Sequence, residues 1–289
     1  MVETKTINIH GRLYDFDTPK IMGIINVTPD SFYADSRSFT TDVIKPRVAR
    51  HLAEGADILD IGGYSTRPGA EDISPEEEYT RLARALEVIR KEWPDTIVSI
   101  DTFRGEVARR CIEDFNVEII NDVAGGALDP SIWEVVAEYK VPYILMHMRG
   151  TPDTMQSLTD YEDVTRDVVL DLARKTAALR SMGVADVILD PGFGFAKTVD
   201  QNWQLMAELE EFTREGLPLL VGISHKTMIW RPLGISPSEA LNGTTVLNTI
   251  ALQKGADILR VHEVKPAVEA RALVEMMKRN TPANNISGK

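Results

Sequence analysis

The 289-residue chain has a single cysteine, Cys111, so it closes no intramolecular disulfide and builds no thiolate metal cluster. Cys111 lies in the helical stretch GEVARRCIEDF, where a small buried apolar residue is its plainest reading. Histidine is scarce too. The five residues at 10, 51, 147, 225 and 262 show no HxxxH or HxH pairing, which argues against a zinc site. No apolar run approaches the roughly 18 residues that cross a bilayer. The N-terminal MVETKTINIHGRLYDFD lacks the apolar core of a signal peptide. These absences set the expectation of a cytoplasmic enzyme with no membrane partner. Basic residues are outnumbered, 32 Lys and Arg against 44 Asp and Glu, for a net charge of −12. That disfavours a nucleic-acid partner, which calls for a basic face. The acidic excess gathers in stretches such as Glu76-Glu77-Glu78 and Glu208-Glu210-Glu211 and reads as solvated helix surface.

What is present is a series of short apolar runs that stop at residues able to do chemistry. IMGII ends at Asn26, DIL at Asp60, TIVSI at Asp101, VEII at Asn121, YILM at His147 and VIL at Asp190. LPLLVGIS runs into His225 and Lys226, and ILRV carries Arg260 and ends at His262. Short β-branched runs bounded by polar sequence are the pattern of strands buried on both faces. Amphipathic helical stretches lie between most of them. Eight strands alternating with helices predict a single-domain α/β fold, a closed parallel (β/α)8 barrel, and about 250 residues suffice for one. In that fold the C-terminal ends of the strands face one cleft.

Residues 1–19 read as a short hairpin, INI and LYDF around Gly11, that caps the barrel floor. The barrel itself spans 20–279, and 280–289 form a polar, frayed tail. EGADILDIGG at 54–63 is echoed by KGADILRVHE at 254–263 and more loosely by MGVADVILDPG at 182–192. Each copy ends a helix at Gly before a strand, as a (β/α) repeat requires. Ser74-Pro75-Glu76-Glu77 and Ser236-Pro237-Ser238-Glu239 mark helix starts. The last helix is expected from about Pro266 to Arg279. Two cleft-side loops, 27–40 and 62–75, are rich in Gly, Pro, Ser and Asp. They suit closure over a substrate, although ordinary surface connections have the same composition.

The strand ends divide by chemistry. Asp190 opens DPGFGFAK. A carboxylate there can accept two parallel hydrogen bonds from a planar N–C–N edge such as a pterin presents. Gly192 and Gly194 let backbone approach the ring, and Phe195 adds apolar surface. Asp101 is a second carboxylate that either stabilises positive charge or caps the helix GEVARRCIED, a cap that Thr102 could supply instead. Lys226, Arg260, His262 and Arg67 form a cationic group that points to an anionic substrate. Arg260 and His262, two apart, share one face of their strand and suit a phosphate or pyrophosphate. Asn26 offers a neutral oxygen to Mg²⁺, an ion often held mainly by substrate phosphates and water. Met146 and Met148 flank His147. One of the pair is expected to face the barrel mouth, and Met146 is the candidate to pack on a flat ring.

Taken together, these strings resemble the dihydropteroate synthase family. The motifs are NVTPDSF (26–32), DIGGYSTRPGA (60–70), SIDT (99–102), NDVAGG (121–126), LMHMRGTPDTMQ (145–156), DPGFGFAK (190–197), SHKT (224–227) and RVH (260–262). They follow the family's order over roughly residues 20 to 275. The resemblance implies a transferase of folate biosynthesis that joins 6-hydroxymethyl-7,8-dihydropterin pyrophosphate to p-aminobenzoate, giving 7,8-dihydropteroate and pyrophosphate. Carried over by matching position, Asp101, Asn121, Asp190, Lys226 and Met146 hold the pterin. Asn26, Thr66, Arg67, Arg260 and His262 hold the pyrophosphate, with Asn26 also the magnesium ligand. Phe195, Lys226, Thr227 and Pro68 form the p-aminobenzoate pocket, where sulfonamides would compete. Asp101, Lys226 and Arg67 carry the catalytic roles. A homodimer is implied as well.

The chain departs from the family pattern at a few places. Tyr64 replaces an acidic residue and Tyr33-Ala34 a Ser-Asp pair. His225 and Thr227 replace Arg and Ser beside the lysine, and Trp230 replaces a small residue. His225 gives up a permanent charge. These changes bear on the second-substrate pocket. Two other readings remain at this stage. A pterin-dependent methyltransferase barrel shares the pterin-holding residues but has no use for the STRPG loop or the Arg260–His262 pair. A silent pterin-binding paralogue would be expected to have lost Asn26, Arg67 or Lys226, and all three are present.

Overall fold

The computed structural model describes residues 4–27, 37–65 and 72–280, with the backbone alone for 37–42. A hairpin comes first, β1 (Thr6–Ile9) and β2 (Arg12–Asp15). Its pairing of Ile9 with Arg12 leaves a two-residue turn at His10 and Gly11, with φ of +49° and +83°. Two left-handed residues make a turn whose twist matches the flanking strands, and Gly adopts that conformation freely. Asn8 Oδ1 accepts the Gly11 N–H at 2.7 Å and fixes the turn.

Eight parallel strands follow: β3 (Lys20–Asn26), β4 (Ile58–Gly62), β5 (Ile97–Asp101), β6 (Ile119–Asp122), β7 (Tyr143–Met146), β8 (Val187–Asp190), β9 (Leu220–Val221) and β10 (Ile258–Val261). They pair in the order β8-β7-β6-β5-β4-β3-β10-β9. A parallel bridge from Leu189 to Leu219, just ahead of β9, closes the ring. The result is the (β/α)8 barrel that the alternating pattern predicts. Helices α1 (Arg37–Ala53), α2 (Pro75–Glu92), α3 (Gly105–Phe115), α4 (Ser131–Tyr139), α5 (Val164–Ser181), α6 (Val199–Ala207), α7 (Thr227–Leu233), α8 (Leu241–Gln253) and α9 (Val264–Asn280) surround it.

Alternation along each strand separates two cores. Ile21, Ile25, Leu59, Ile61, Val98, Ile100, Leu145 and Leu189 pack outward with helix residues such as Leu82, Leu86, Ile89 and Val107. Met22, Ile58, Ile119, Ile144, Ile188, Leu220 and Ile258, near the strand starts, cluster inside the barrel with Ile7, Ile9 and Phe16 of the hairpin segment. The hairpin is therefore the floor plug. Burying each of those three side chains is worth about 1.5–3 kcal/mol.

Local signals explain most helix boundaries. Ser74 Oγ accepts the Glu77 N–H at the start of α2, with Pro75 in the first turn. Gly55, Gly183 and Gly255, the three echoed glycines, all sit at φ between +92° and +96° where helices end. The last helix opens two residues earlier than expected, at Val264, and ends one later, at Asn280. Pro266 is accommodated in its first turn, where a missing N–H goes unused. Helix α1 begins at Arg37, inside the stretch expected as loop. The remainder of that loop, residues 28–36, lies outside the described residues. So do residues 66–71 of the second loop and the tail 281–289.

Candidate functional site

The inward positions at the strand tops are not apolar. Asn26, Gly62, Asp101, Asn121, Met146, Asp190 and Arg260 continue the same inward rows that give the floor its isoleucines. Gly62 keeps the rim narrow: a methyl group there would stand 3.3 Å from Asn26 Oδ1 and 3.6 Å from Asp101 Cβ. Sequence spacing alone thus brings Asn26, Asp101, Asn121, Asp190 and Arg260 to one barrel mouth.

Arg260 organises that mouth. Its Nε donates to Asp60 Oδ2 at 2.7 Å and its Nη2 to Asp101 Oδ2, also at 2.7 Å. Asn121 Nδ2 donates to the same Asp60 oxygen at 3.2 Å. Burial works against the charge on Arg260, but Asp60 and Asp101 outweigh it and hold the guanidinium protonated. Burial raises the pKa of Asp101, with Arg260 opposing and Asp60 reinforcing the rise. Asp101 is no helix cap. The Gly105 N–H at the start of α3 is taken by Asp129 at 2.7 Å, and Thr102 Oγ1 accepts from the Arg104 N–H at 3.2 Å.

The other half of the mouth is the loop after β8. Asp190 Oδ1 accepts the Gly192 N–H at 2.8 Å. Burial raises the Asp190 pKa, against Lys226, the Gly192 N–H, Arg260 and Lys197. Lys226 reaches across from the start of α7. Its Nζ donates to the Phe193 carbonyl and lies 4.7 Å from the centre of the Phe195 ring. Burial brings the Lys226 ammonium down to about 8, with Asp190 working the other way. Met146 and Met148 fall in one cluster with Val123, Ala124, Met155 and Ala196, against which Phe195 packs. Met146 ends β7 and Met148 lies just beyond it, and both are buried in this one cluster. The arrangement brings carboxylates, an amide and the two cations Arg260 and Lys226 together at the barrel mouth.

Similarity to known proteins accords with this geometry. The signature of the family described as pterin binding enzyme matches residues 22–262. The dihydropteroate synthase of Escherichia coli strain K12 is 41% identical over 268 residues, spanning 92% of this chain and 94% of that protein. The chain belongs to the dihydropteroate synthase family. The synthase of a Synechocystis species is 43% identical over 249 residues, 85% of each chain. The Yersinia pestis synthase, solved with a sulfonamide drug, superposes with a TM-score of 0.87 at 36% identity, over 95% of this chain and 99% of that one. The Xanthomonas albilineans synthase, solved with 4-aminobenzoic acid, gives a TM-score of 0.86 at 34% identity, over 97% and 100%.

Against the dihydropteroate synthase motifs, the departures find local partners. His225 has φ +54°; its Nδ1 lies 2.5 Å from the Pro237 carbonyl and its Nε2 2.9 Å from Glu263 Oε2. Burial alone would lower its pKa, but the carbonyl and the Glu263 carboxylate prevail and raise it. Its ring lies 6.1 Å from that of His262. Tyr64 packs edge-on to Phe103 at 5.2 Å, with Arg104 5.1 Å from its ring centre. Trp230 is partly buried against the outer core. Thr227 is exposed at the first turn of α7 and lines a cavity of about 530 Å³ with Gly194, Lys197, Asn202 and Arg231. A slightly larger cavity, about 560 Å³, lies between the segment after β7 and α5. Its cations Arg149, Arg174 and Lys175 already meet Asp167 and Asp171, so it is a solvated ion-pair groove. Thr66, Arg67, Pro68 and Tyr33-Ala34 lie outside the described residues.

Two buried residues matter more than the sequence pattern suggests. Asp60, with only a structural reading from sequence, is fully buried and anchors both Arg260 and Asn121. The available signal was parity: Asp60 is in phase with Ile58 and Gly62, so it faces the same interior as Arg260. Lys197 is the other, bonded to His147 Nδ1 at 3.0 Å. Burial, with Lys197 adding, drives the His147 pKa down to about 2, so this histidine is neutral.

Proposed function

We infer that this chain condenses 6-hydroxymethyl-7,8-dihydropterin diphosphate with p-aminobenzoate, releasing diphosphate and forming 7,8-dihydropteroate for folate synthesis. The observation that carries the reading is the inward ring of Asp101, Asn121, Asp190 and Arg260 at the mouth of a barrel similar to synthases over nearly its whole length. Asp190 receives the pterin N–C–N edge, with Asn121 and Asp101 along the ring and Met146 beneath it. The pterin methylene is the electrophile. Its carbon–oxygen bond breaks as diphosphate leaves with the electron pair. The arylamine nitrogen then forms the new carbon–nitrogen bond and gives up a proton. Asp101 and Asp190 stabilise the electron-poor pterin, while Arg260 and His262 face the departing diphosphate. Phe195, Lys226 and Thr227 shape the p-aminobenzoate pocket, in which sulfonamides compete. Thr66, Arg67 and Pro68 keep the roles that their motif implies.

The residues present fit magnesium. Among the described residues no three His, Cys, Asp or Glu side chains gather into a cage. Asn26 instead sets one amide oxygen at the rim, enough for an ion held chiefly by diphosphate and water. When bound with the diphosphate, Mg²⁺ offsets the charge that grows on the leaving group. Turnover of the two substrates to dihydropteroate and diphosphate is expected with Mg²⁺ and should fall at least tenfold in excess chelator, recovering when the ion is restored. Lack of product under any condition would mark a silent pterin binder, and an unchanged rate in chelator would remove Asn26 as a metal ligand.

We also propose a homodimer. Leu233, Leu241, Val246, Leu273 and Met276 are exposed on α7, α8 and α9, an unusual density of large apolar side chains. Sedimentation should give a dimer that Val246→Glu with Leu273→Glu dissociates; a monomeric wild type would refute it. The setting we favour is the cytoplasm, where the one cysteine, buried and unpaired, stays reduced. Recovery of the protein outside the cytoplasmic fraction of cells would overturn that location.

A further inference from the structure

The segment from Asp190 to Lys197 belongs to no helix or strand beyond its first residue, and three of its residues are left-handed: Gly192 (φ +70°), Gly194 (+82°) and Ala196 (+50°). Such a backbone satisfies few of its own polar groups, the Phe195 N–H to the Gly192 carbonyl at 3.1 Å being one, so side chains take up others. Asp190 takes the Gly192 N–H, and Asn202 Oδ1 takes the Gly194 N–H at 2.6 Å. Lys226 holds the Phe193 carbonyl, and Tyr161 Oη donates to the Ala196 carbonyl at 3.0 Å. The centre of this arrangement is Lys197. Its Nζ, almost fully buried, donates to the Gly192 carbonyl at 2.9 Å and the Phe195 carbonyl at 3.0 Å, and meets His147 Nδ1 at 3.0 Å.

Three partners converge on one nitrogen, and two of them are carbonyls that only accept. The third contact is satisfied by an ammonium donating to the ring or by a ring N–H donating to a neutral amine. Both arrangements leave the carbonyls bonded, so the clamp does not depend on the charge of Lys197. The loop is also pressed onto β7's end. The His147 N–H donates to the Asp190 carbonyl at 3.1 Å, and a methyl group at Gly192 would stand 2.1 Å from the His147 carbonyl oxygen. One end of the clamped segment carries the pterin carboxylate. The other carries Phe195, the wall against which the second substrate lies.

We propose that Lys197 is a positioning residue that fixes the distance between the pterin and p-aminobenzoate subsites by clamping the loop that joins them. Its amine is taken up by the two carbonyls and His147, and the proposal rests on the assignment of Asp190 and Phe195 given above. Without its amine the Phe195 carbonyl loses its donor, the Gly192 carbonyl keeps only the Phe195 N–H at 3.1 Å, and a loop with three left-handed residues relaxes. Lys197→Met keeps the length and removes the donors. Steady-state kinetics well below the melting temperature should show KM rising about tenfold for both substrates together. Asp190→Asn should raise KM for the pterin substrate alone, and Phe195→Leu that for p-aminobenzoate alone. Tyr161→Phe, which removes a peripheral tie, should give the same joint rise to a lesser degree. A Lys197→Met protein that melts earlier but keeps both KM values overturns the proposal. If Lys197→Met does not fold, Tyr161→Phe decides on the same criterion. An unchanged pterin KM in Asp190→Asn would instead overturn the site assignment and the coupling with it.

Discussion

Asp190→Asn is expected to weaken pterin binding on the order of 100-fold, about 3 kcal/mol, with little change in stability. A carboxylate at this position accepts on both oxygens. Gly192 N–H already uses one lone pair of Oδ1, and a planar N–C–N edge would engage the pair of oxygens from the cleft side. An amide presents an NH₂ group where one of those donors must arrive. The result is two donors facing each other in a buried slot, which costs more than a simple lost bond. The charge matters as well as the shape. Burial raises the Asp190 pKa, and Lys226, Arg260 and Lys197 are the cations arranged against that rise. Calorimetric titration with a pterin lacking the leaving group reads the effect directly. Binding as tight as in the wild type would remove Asp190 from the pterin site.

Much of this site was legible because strand alternation is strict. Once IVSID and ILRV are read as strands, Asp101 and Arg260 must face the interior, as Ile97 and Ile258 do. The floor was legible for the same reason, and helix starts followed from local chemistry at Ser74. What parity does not give is who meets whom across the barrel. Arg260 lies opposite Met22 in the β10–β3 register, and Met22 pairs with Ile58. The guanidinium bonds higher up the interior, one inward position to Asp60 and two to Asp101, because a long side chain spans what the backbone ladder separates. The Lys197 clamp was illegible for another reason. A loop of alternating left-handed residues has no periodicity, and its contacts to His147, Tyr161 and Asn202 cross up to 50 positions of sequence. The Glu263 partner of His225 was equally hidden, since the histidine was read only as the loss of an arginine charge.

Arg260→Met tests the centre of the network and carries the largest expected loss. Removing one partner of a buried ion pair typically costs about 3–5 kcal/mol, because the remaining charge is stranded. Here two carboxylates are stranded together, Asp60 with no exposure and Asp101 beside it. The pH dependence identifies the cause. Burial already raises the Asp101 pKa above that of an unfolded aspartate, and Arg260 is the main influence opposing it. Without Arg260 the native state binds this proton more tightly still. A native pKa above the unfolded value, about 3.9, makes stability fall as pH rises from that value through the native pKa. The deficit of Arg260→Met relative to wild type should therefore be widest near pH 8 and shrink towards pH 5, where protonation neutralises what the arginine no longer balances. Urea unfolding at the two pH values measures it, and an equal deficit at both would point to lost packing instead. Diphosphate-dependent turnover should be lost at either pH, since protonating Asp101 restores the fold's charge balance without restoring a cation to the leaving group.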